Sequence, residues 1–146
     1  MSSLSKNLND LIRVNFERAR RLMDDKAIAK SMIDDLLNQI TITLENKISF
    51  TQSERIDNDG DLITTIFISN PKNKNKEALI SYYFNAETIF PAVMMYQNII
   101  HYRCESIDDV SVFIEKLISH ESFMIKVIRV SEESENSIDF DDDIPF

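Results

Sequence analysis

Two histidines, one cysteine, a clustered run of aspartates and three loop lysines are the residues of this chain whose types and spacing invite a chemical reading. His101 and His120 have no second ligand at metal spacing, and Cys104 has no neighbouring cysteine. They read as structural or surface residues rather than as metal ligands or a nucleophile. The run Asp57-Asn58-Asp59-Gly60-Asp61 has the composition of a calcium loop. Its glycine, however, stands at position four rather than six, and Ile68 occupies position twelve, where a bidentate glutamate is required. It reads as a turn. Carboxylates abound, but their spacing singles out no acid and base pair. The expectation is a protein that is not an enzyme, with no catalytic residues, no metal and no cofactor.

Nucleic-acid binding is the other chemistry these residue types suggest, because single-strand binders combine a basic groove with aromatics that stack on bases. Arg13, Arg18, Arg20 and Arg21 interleave with Asp10, Glu17, Asp24 and Asp25, which makes a solvated, salt-bridged helix face the better reading for them. Lys72, Lys74 and Lys76 lie in one polar loop undiluted by acids, and they are the candidate nucleic-acid contacts. Tyr82, Tyr83, Tyr96 and Tyr102 fall on strands. Tyr82 and Tyr83 are adjacent and so point to opposite faces, leaving at most one of them exposed. The single glycine, Gly60, rules out phosphate-cradling loops and dinucleotide fingerprints, which need several. It also makes a five-stranded oligonucleotide-binding barrel improbable, since that fold bends its strands at glycines and bulges.

Hydrophobic periodicity places these residues on elements. Leu4, Leu8, Leu11, Ile12, Phe16, Ala19, Leu22 and Met23 share one arc of a helix over 4–23. The stripe changes phase at Asp24 and Asp25, which predicts a break, and a second helix over 26–39 buries Ile28, Met32, Ile33, Leu36 and Leu37. From Ile40 to Phe50 the period is two, the mark of a strand or a short hairpin. Strands follow at Leu62–Ser69 and Glu77–Phe84, separated by the polar loop 70–76. The pattern is interrupted around Pro91, and Tyr96–Cys104 reads as another strand. Ser106 with Asp109 suggests a capping box opening a helix over 107–119, with Val110, Phe113, Ile114 and Leu117 inward. Phe123–Val130 reads as a closing strand. The expected fold class is α+β: N-terminal helices, an antiparallel sheet meander, a further helix and a closing strand in a domain of residues 1–130.

At 146 residues the chain has the length of one domain, and its 43% hydrophobic and 28% charged residues suit a globular core. No apolar run approaches the roughly 18 residues of a membrane span. Met1 to Asn9 lacks the basic-then-apolar order of a secretory signal, so the expected location is the cytoplasm. After Val130 the composition changes. Residues 131–146 carry Glu132, Glu133, Glu135, Asp139, Asp141, Asp142 and Asp143 and no basic residue. Its polar first half cannot bury enough apolar surface to order itself, which predicts a flexible acidic tail. These residues hold most of the formal charge of −9, leaving the body nearly neutral.

The last eight residues, Asp139-Phe140-Asp141-Asp142-Asp143-Ile144-Pro145-Phe146, closely resemble the C-terminal tip of bacterial single-stranded DNA-binding proteins at every position, with the same placement at the end of the chain. The resemblance implies a docking peptide for genome-maintenance proteins such as helicases, nucleases, recombination mediators, primosome components and polymerase subunits. The residues suit that role. Phe146 offers a ring worth about 1.5–3 kcal/mol on full burial, with a terminal carboxylate that an arginine can clamp. Pro145 restricts the backbone before docking, Ile144 adds apolar contact, and Asp141, Asp142 and Asp143 would face a basic rim.

The rest of the chain departs from that family. It begins with helices instead of an oligonucleotide-binding barrel, and residues 131–138 can span at most about 26–29 Å between body and tip. The expected function is therefore an accessory protein of bacterial DNA replication, repair or recombination, encoded by the host or by a phage, plasmid or other mobile element. It would act as an adaptor or as a competitive mimic of the tail. The alternative is a divergent single-stranded DNA-binding protein whose non-barrel body holds DNA directly.

Overall fold

Every helix packs on the same side of one sheet. The computed structural model describes residues 2–73 and 75–133. Its elements run α1 (Ser2–Thr43), β1 (Ser49–Ile56), β2 (Leu62–Ser69), β3 (Lys76–Asn85), β4 (Ile89–Tyr96), β5 (Ile100–Cys104), α2 (Ile107–Ser119) and α3 (Glu121–Glu132). The five strands pair in chain order, each antiparallel to the next. The α+β class and the meander are as the periodicity predicts, and several local assignments differ.

The first concerns the N-terminus, where one continuous helix replaces the two expected. Nothing between Asp24 and Lys26 removes a backbone donor or demands a positive φ, so the shift of the apolar stripe does not break the helix. The stripe is instead used over half the length. Ala29, Ile33, Leu37 and Ile40, at steps of three or four, are buried, whereas Leu8, Leu11, Ile12, Phe16 and Met23 are exposed, Phe16 to 68%. Length explains this. A helix of 42 residues is about 63 Å long, while eight-residue strands cover roughly 27 Å and five strands side by side roughly 24 Å. The first half of α1 overhangs the sheet.

The second difference lies at the end of α1, where Ile40, Ile42 and Leu44 alternate like a strand. In the helix Ile40 is buried and Ile42 is 59% exposed, a contrast that a shared strand face would not produce. The hydroxyls of Thr41 and Thr43 donate back to the carbonyls of Leu37 and Gln39 at 2.9 and 2.8 Å, which is how threonine is accommodated inside a helix. Glu45 and Asn46, at φ of 55° and 64°, turn the chain left-handed and stop the helix without a glycine.

The third difference is α3 in place of the closing strand. Phe123, Val127 and Val130 are buried at helical spacing, and Ile125 and Ile128 between them are exposed. This helix carries the folded body past Val130 to Glu132.

The sequence reading also missed β4. Its register with β3 jumps from Asn85↔Ile89 to Phe84↔Ala92, and pairing with β5 begins at Ala92. Phe90 and Pro91 therefore stand outside both ladders, so the donor that proline lacks is not required. The stretch read as one strand from Tyr96 is the 97–99 turn followed by β5. Helix α2 is as predicted, with one change at its start. Ser106 makes no side-chain cap, and the Asp109 carboxylate accepts the N–H of Glu105 at 2.7 Å.

The core lies between the sheet's inner face and the three helices. Ile66, Ile68, Ile80, Tyr82, Met94 and Tyr96 meet Ala29, Ile33, Val110, Phe113, Leu117, Phe123 and Val127. Tyr96 packs edge-on against Phe123 with centroids 5.5 Å apart, and its hydroxyl reaches Ser122 Oγ at 3.2 Å. Cys104 is fully buried, and that burial, aided by the Asp109 carboxylate, pushes its thiol up to about 12. Burial likewise raises the Tyr82 phenol, with Asp34 and Glu54 adding to the effect against a hydrogen bond from Thr64. Both groups keep their protons longer in the folded than in the unfolded state. Stability should therefore fall as pH rises past the unfolded thiol value of 9.0, by up to about 1.4 kcal/mol per pH unit for the thiol alone. Urea titrations between pH 7 and 11 check this, and Cys104→Ala should flatten the first part of the fall.

Candidate functional site

Alternation along the strands gives the sheet a second face that no helix covers among the described residues. Thr64, Ile66 and Ile68 of β2 point to the helices, so Ile63, Thr65, Phe67 and Ser69 point away. The register carries this outward row across the sheet: Arg55 pairs with Ile63, Tyr83 with Val93, and Val93 with Arg103. One step along, Ser53, Thr65, Ser81, Met95 and His101 form the next row. Beyond it Phe67 lies between Thr51 and Ala78, and Lys76 opposite Ser69 closes the face.

Phe67, Tyr83, Val93 and Met95 are half-buried by their neighbours on the sheet, and none belongs to the core. Arg55, Lys76, His101 and Arg103 are exposed around them. Lys76 Nζ sits 5.0 Å from the centre of the Phe67 ring, a cation–π distance. No Asp or Glu occupies an outward strand position among the described residues. Glu105, which follows β5, pairs with Arg103 at 2.6 Å, and Asp57, Asp59 and Asp61 stand at the β1–β2 turn beyond Arg55. The result is an apolar centre with two aromatic rings, framed by an arginine at each edge.

The structure separates the three loop lysines of the sequence reading. Lys76 belongs to this face. Lys72 is exposed on the β2–β3 loop, and Lys74 lies outside the described residues. That loop is fastened to the end of α3 by the buried side chain of Asn70. Its amide nitrogen donates to the carbonyls of Val130, Ser131 and Glu133 at 2.9, 3.3 and 2.7 Å, while its oxygen accepts the N–H of Lys72. Asn73 adds a bond to the Glu133 carboxylate. The root of the acidic segment is therefore held beside Lys72. The docking peptide itself, Asp139, Phe140, Asp141, Asp142, Asp143, Ile144, Pro145 and Phe146, lies outside the described residues.

Other candidates from the sequence fall elsewhere. Tyr82 faces the core and Tyr83 the open side, as adjacent strand residues must. Tyr96 is buried, and Tyr102 is half-buried against the core under Lys116, whose Nζ is 5.8 Å from its ring. The α1 arginines stand on the exposed helix, Arg13 pairing with Asp10 at 3.3 Å. His120 joins α2 to α3 and its Nδ1 bonds Ser122 Oγ at 2.9 Å. Asp57, Asp59 and Asp61 bring carboxylate oxygens within 4.8 Å of one another at the β1–β2 turn. There Asp57 accepts the N–H groups of Asp59 and Asp61, and Gly60 supplies the left-handed φ of 86°. This is turn chemistry.

Phe67, Arg55 and Arg103 were absent from the sequence candidates. Period-two alternation shows that Phe67 opposes Ile66 and Ile68, yet it cannot say which face the helices cover. Against known protein families, characterised proteins and solved structures, the chain has no match.

Asn70→Ala should lower stability by about 1–3 kcal/mol, because carbonyls at the end of α3 would lose their buried donor. Hydrogen exchange should show the extra opening concentrated at residues 130–133 and in the β2–β3 loop.

Proposed function

We propose that this chain is an accessory protein of bacterial DNA replication, repair or recombination, acting in the cell of a bacterium or of one carrying a mobile element. It docks onto genome-maintenance proteins through Asp139 to Phe146. The observation that carries this reading is the eight-residue string itself, which matches the tip of single-stranded DNA-binding proteins and combines an apolar Ile-Pro-Phe end with an acidic lead. A tail needed only for solubility has no use for that end. It acts as an adaptor when the body holds a second ligand, and as a competitive mimic when it does not.

The root of the tail supports the reading and narrows its geometry. With α3 reaching Glu132 and Asn70 gripping Glu133, residues 134–138 can span at most about 17–18 Å before the docking string begins. A partner engaged by the tip must approach the body closely. The contact is small, so its affinity should fall in the micromolar range, near −8 kcal/mol, and weaken as salt screens the aspartates.

Purified helicases and nucleases that bind the tail of single-stranded DNA-binding proteins provide the test. The full chain should bind them and compete with a peptide of that tail, and a chain ending at Pro145 should bind at least about tenfold more weakly, the loss of one buried ring. Equal binding by the two chains would refute the docking role.

A further inference from the structure

The uncovered sheet face has no part in tail docking, and its composition is unlike the rest of this acidic protein. Arg55 and Arg103 stand at the two edges of one row with Ile63, Tyr83 and Val93 between them. Lys76 adds a third cation, and among the described residues no acid occupies an outward strand position. Three of the chain's 16 Lys and Arg, Arg55, Lys76 and Arg103, stand on the face that carries Phe67 and Tyr83.

We propose that this outer face binds single-stranded nucleic acid, with Tyr83 and Phe67 as stacking platforms, Phe67 once Lys76 swings from its ring to a phosphate, and with Arg55 and Lys76 as phosphate contacts beside Arg103, which Glu105 holds. Three features select that ligand. Arg55 and Lys76 make no ion pair among the described residues and suit an anionic partner. The rings lie on the open side of the sheet, and the face of a ring is useful to a base that is not already stacked in a duplex. Strand rise and spacing place Phe67 and Tyr83 about 14 Å apart, far enough for each to receive a different base of one extended strand. The polar side chains between them, Thr65, Ser81 and Ser53, offer hydrogen bonds to sugar or base edges without selecting one base. DNA and RNA share this chemistry.

Fluorescence anisotropy with labelled dT20, rU20 and a duplex of equal length tests the proposal on the full chain, beginning at about 50 mM salt, where phosphate contacts are strong. One or both single strands should bind, more tightly than the duplex, and the affinity should fall steeply with salt. If only dT20 binds, the ligand is DNA; if rU20 binds as well or better, the ligand includes RNA. Phe67→Ala and Tyr83→Ala should each weaken binding roughly 5- to 100-fold. Phe67→Leu, which keeps the apolar volume near Lys76, should weaken it in the same direction and guard against a folding defect, with circular dichroism confirming each variant. Arg55→Ala should reduce the salt slope by about one, whereas Arg129→Ala on the helical side should leave binding unchanged. No binding of either strand at low salt overturns the proposal. So does a preference for the duplex, or equal losses at Arg55 and Arg129. Binding of a peptide with the sequence of residues 139–146 to this face, in place of the oligonucleotides, would also overturn it. Deleting Phe146 should leave oligonucleotide binding intact, which separates this site from the docking tail.

Discussion

One-sided burial of a five-stranded sheet is the constraint on which the rest of this structure depends. An antiparallel meander can leave one face to solvent, and here all three helices crowd the other. The inner positions of β2, β3 and β4 are consequently mostly apolar, Thr64 and Glu77 apart, whereas the outer positions mix serine, threonine, aliphatic side chains, two rings and a few cations. Each strand thus carries two readouts, and the division between them is set by which side the helices occupy. The same constraint explains why β1 is exposed over most of its length. It sits at the sheet edge, where Gln52 reaching Asp34 of α1 is among its contacts with the helical layer.

The helical layer is assembled from unequal parts. α2 and α3 are short and bury one stripe each, with Val110, Phe113 and Leu117 on the first and Phe123, Val127 and Val130 on the second. α1 is far longer than the sheet is wide, so only its second half contributes to the core. Isolated helical segments are marginal in water, and the overhang continues a helix whose other half is anchored by Ala29, Ile33, Leu37 and Ile40. Alternating charges, as in the Arg13 and Asp10 pair, add a little along its exposed side. The phase shift near Asp24 is the point at which the apolar stripe stops facing the body.

How much of this was legible in the residues follows from how local each signal is. β2, β3 and α2 have one period each over eight or more residues, and their limits agree with the sequence reading within a residue or two. Ile40–Leu44 and Phe123–Val130 are rich in β-branched residues, whose strand preference favoured the wrong element. Tertiary burial decided both in favour of helices, since Ile42, Ile125 and Ile128 could be left in solvent. Pro91 hid β4, because a bulge that excuses its missing donor is a property of two neighbouring strands and not of the proline's own segment. The candidate face was harder still. Lys76 was recognisable as a free cation in a polar stretch. The pairing of Tyr83 through Val93 to Arg103, however, joins residues from three strands and exists only once the register is known.

The two proposed activities meet at one end of the sheet. Asn70, the residue after β2, grips the end of α3, while Ser69 and Lys76 flank the same loop and close the row beyond Phe67. The acidic segment therefore starts beside the margin of the aromatic face. Residues 134–138 can extend at most about 17–18 Å, which is less than the roughly 24 Å breadth of five strands. A protein held by the docking string would then sit at the rim of the sheet rather than across it, adjacent to a strand of nucleic acid lying over Phe67 and Tyr83. The acids of the tail and the cations of the face need not neutralise one another for both to work. A base stacked on a ring and a phosphate against Arg55 compete with the tail through charge alone, and charge is the component that salt weakens. With seven of its 25 acids in residues 131–146, the chain leaves a nearly neutral body, and a partner held by the docking string would lie within reach of whatever the outer face binds.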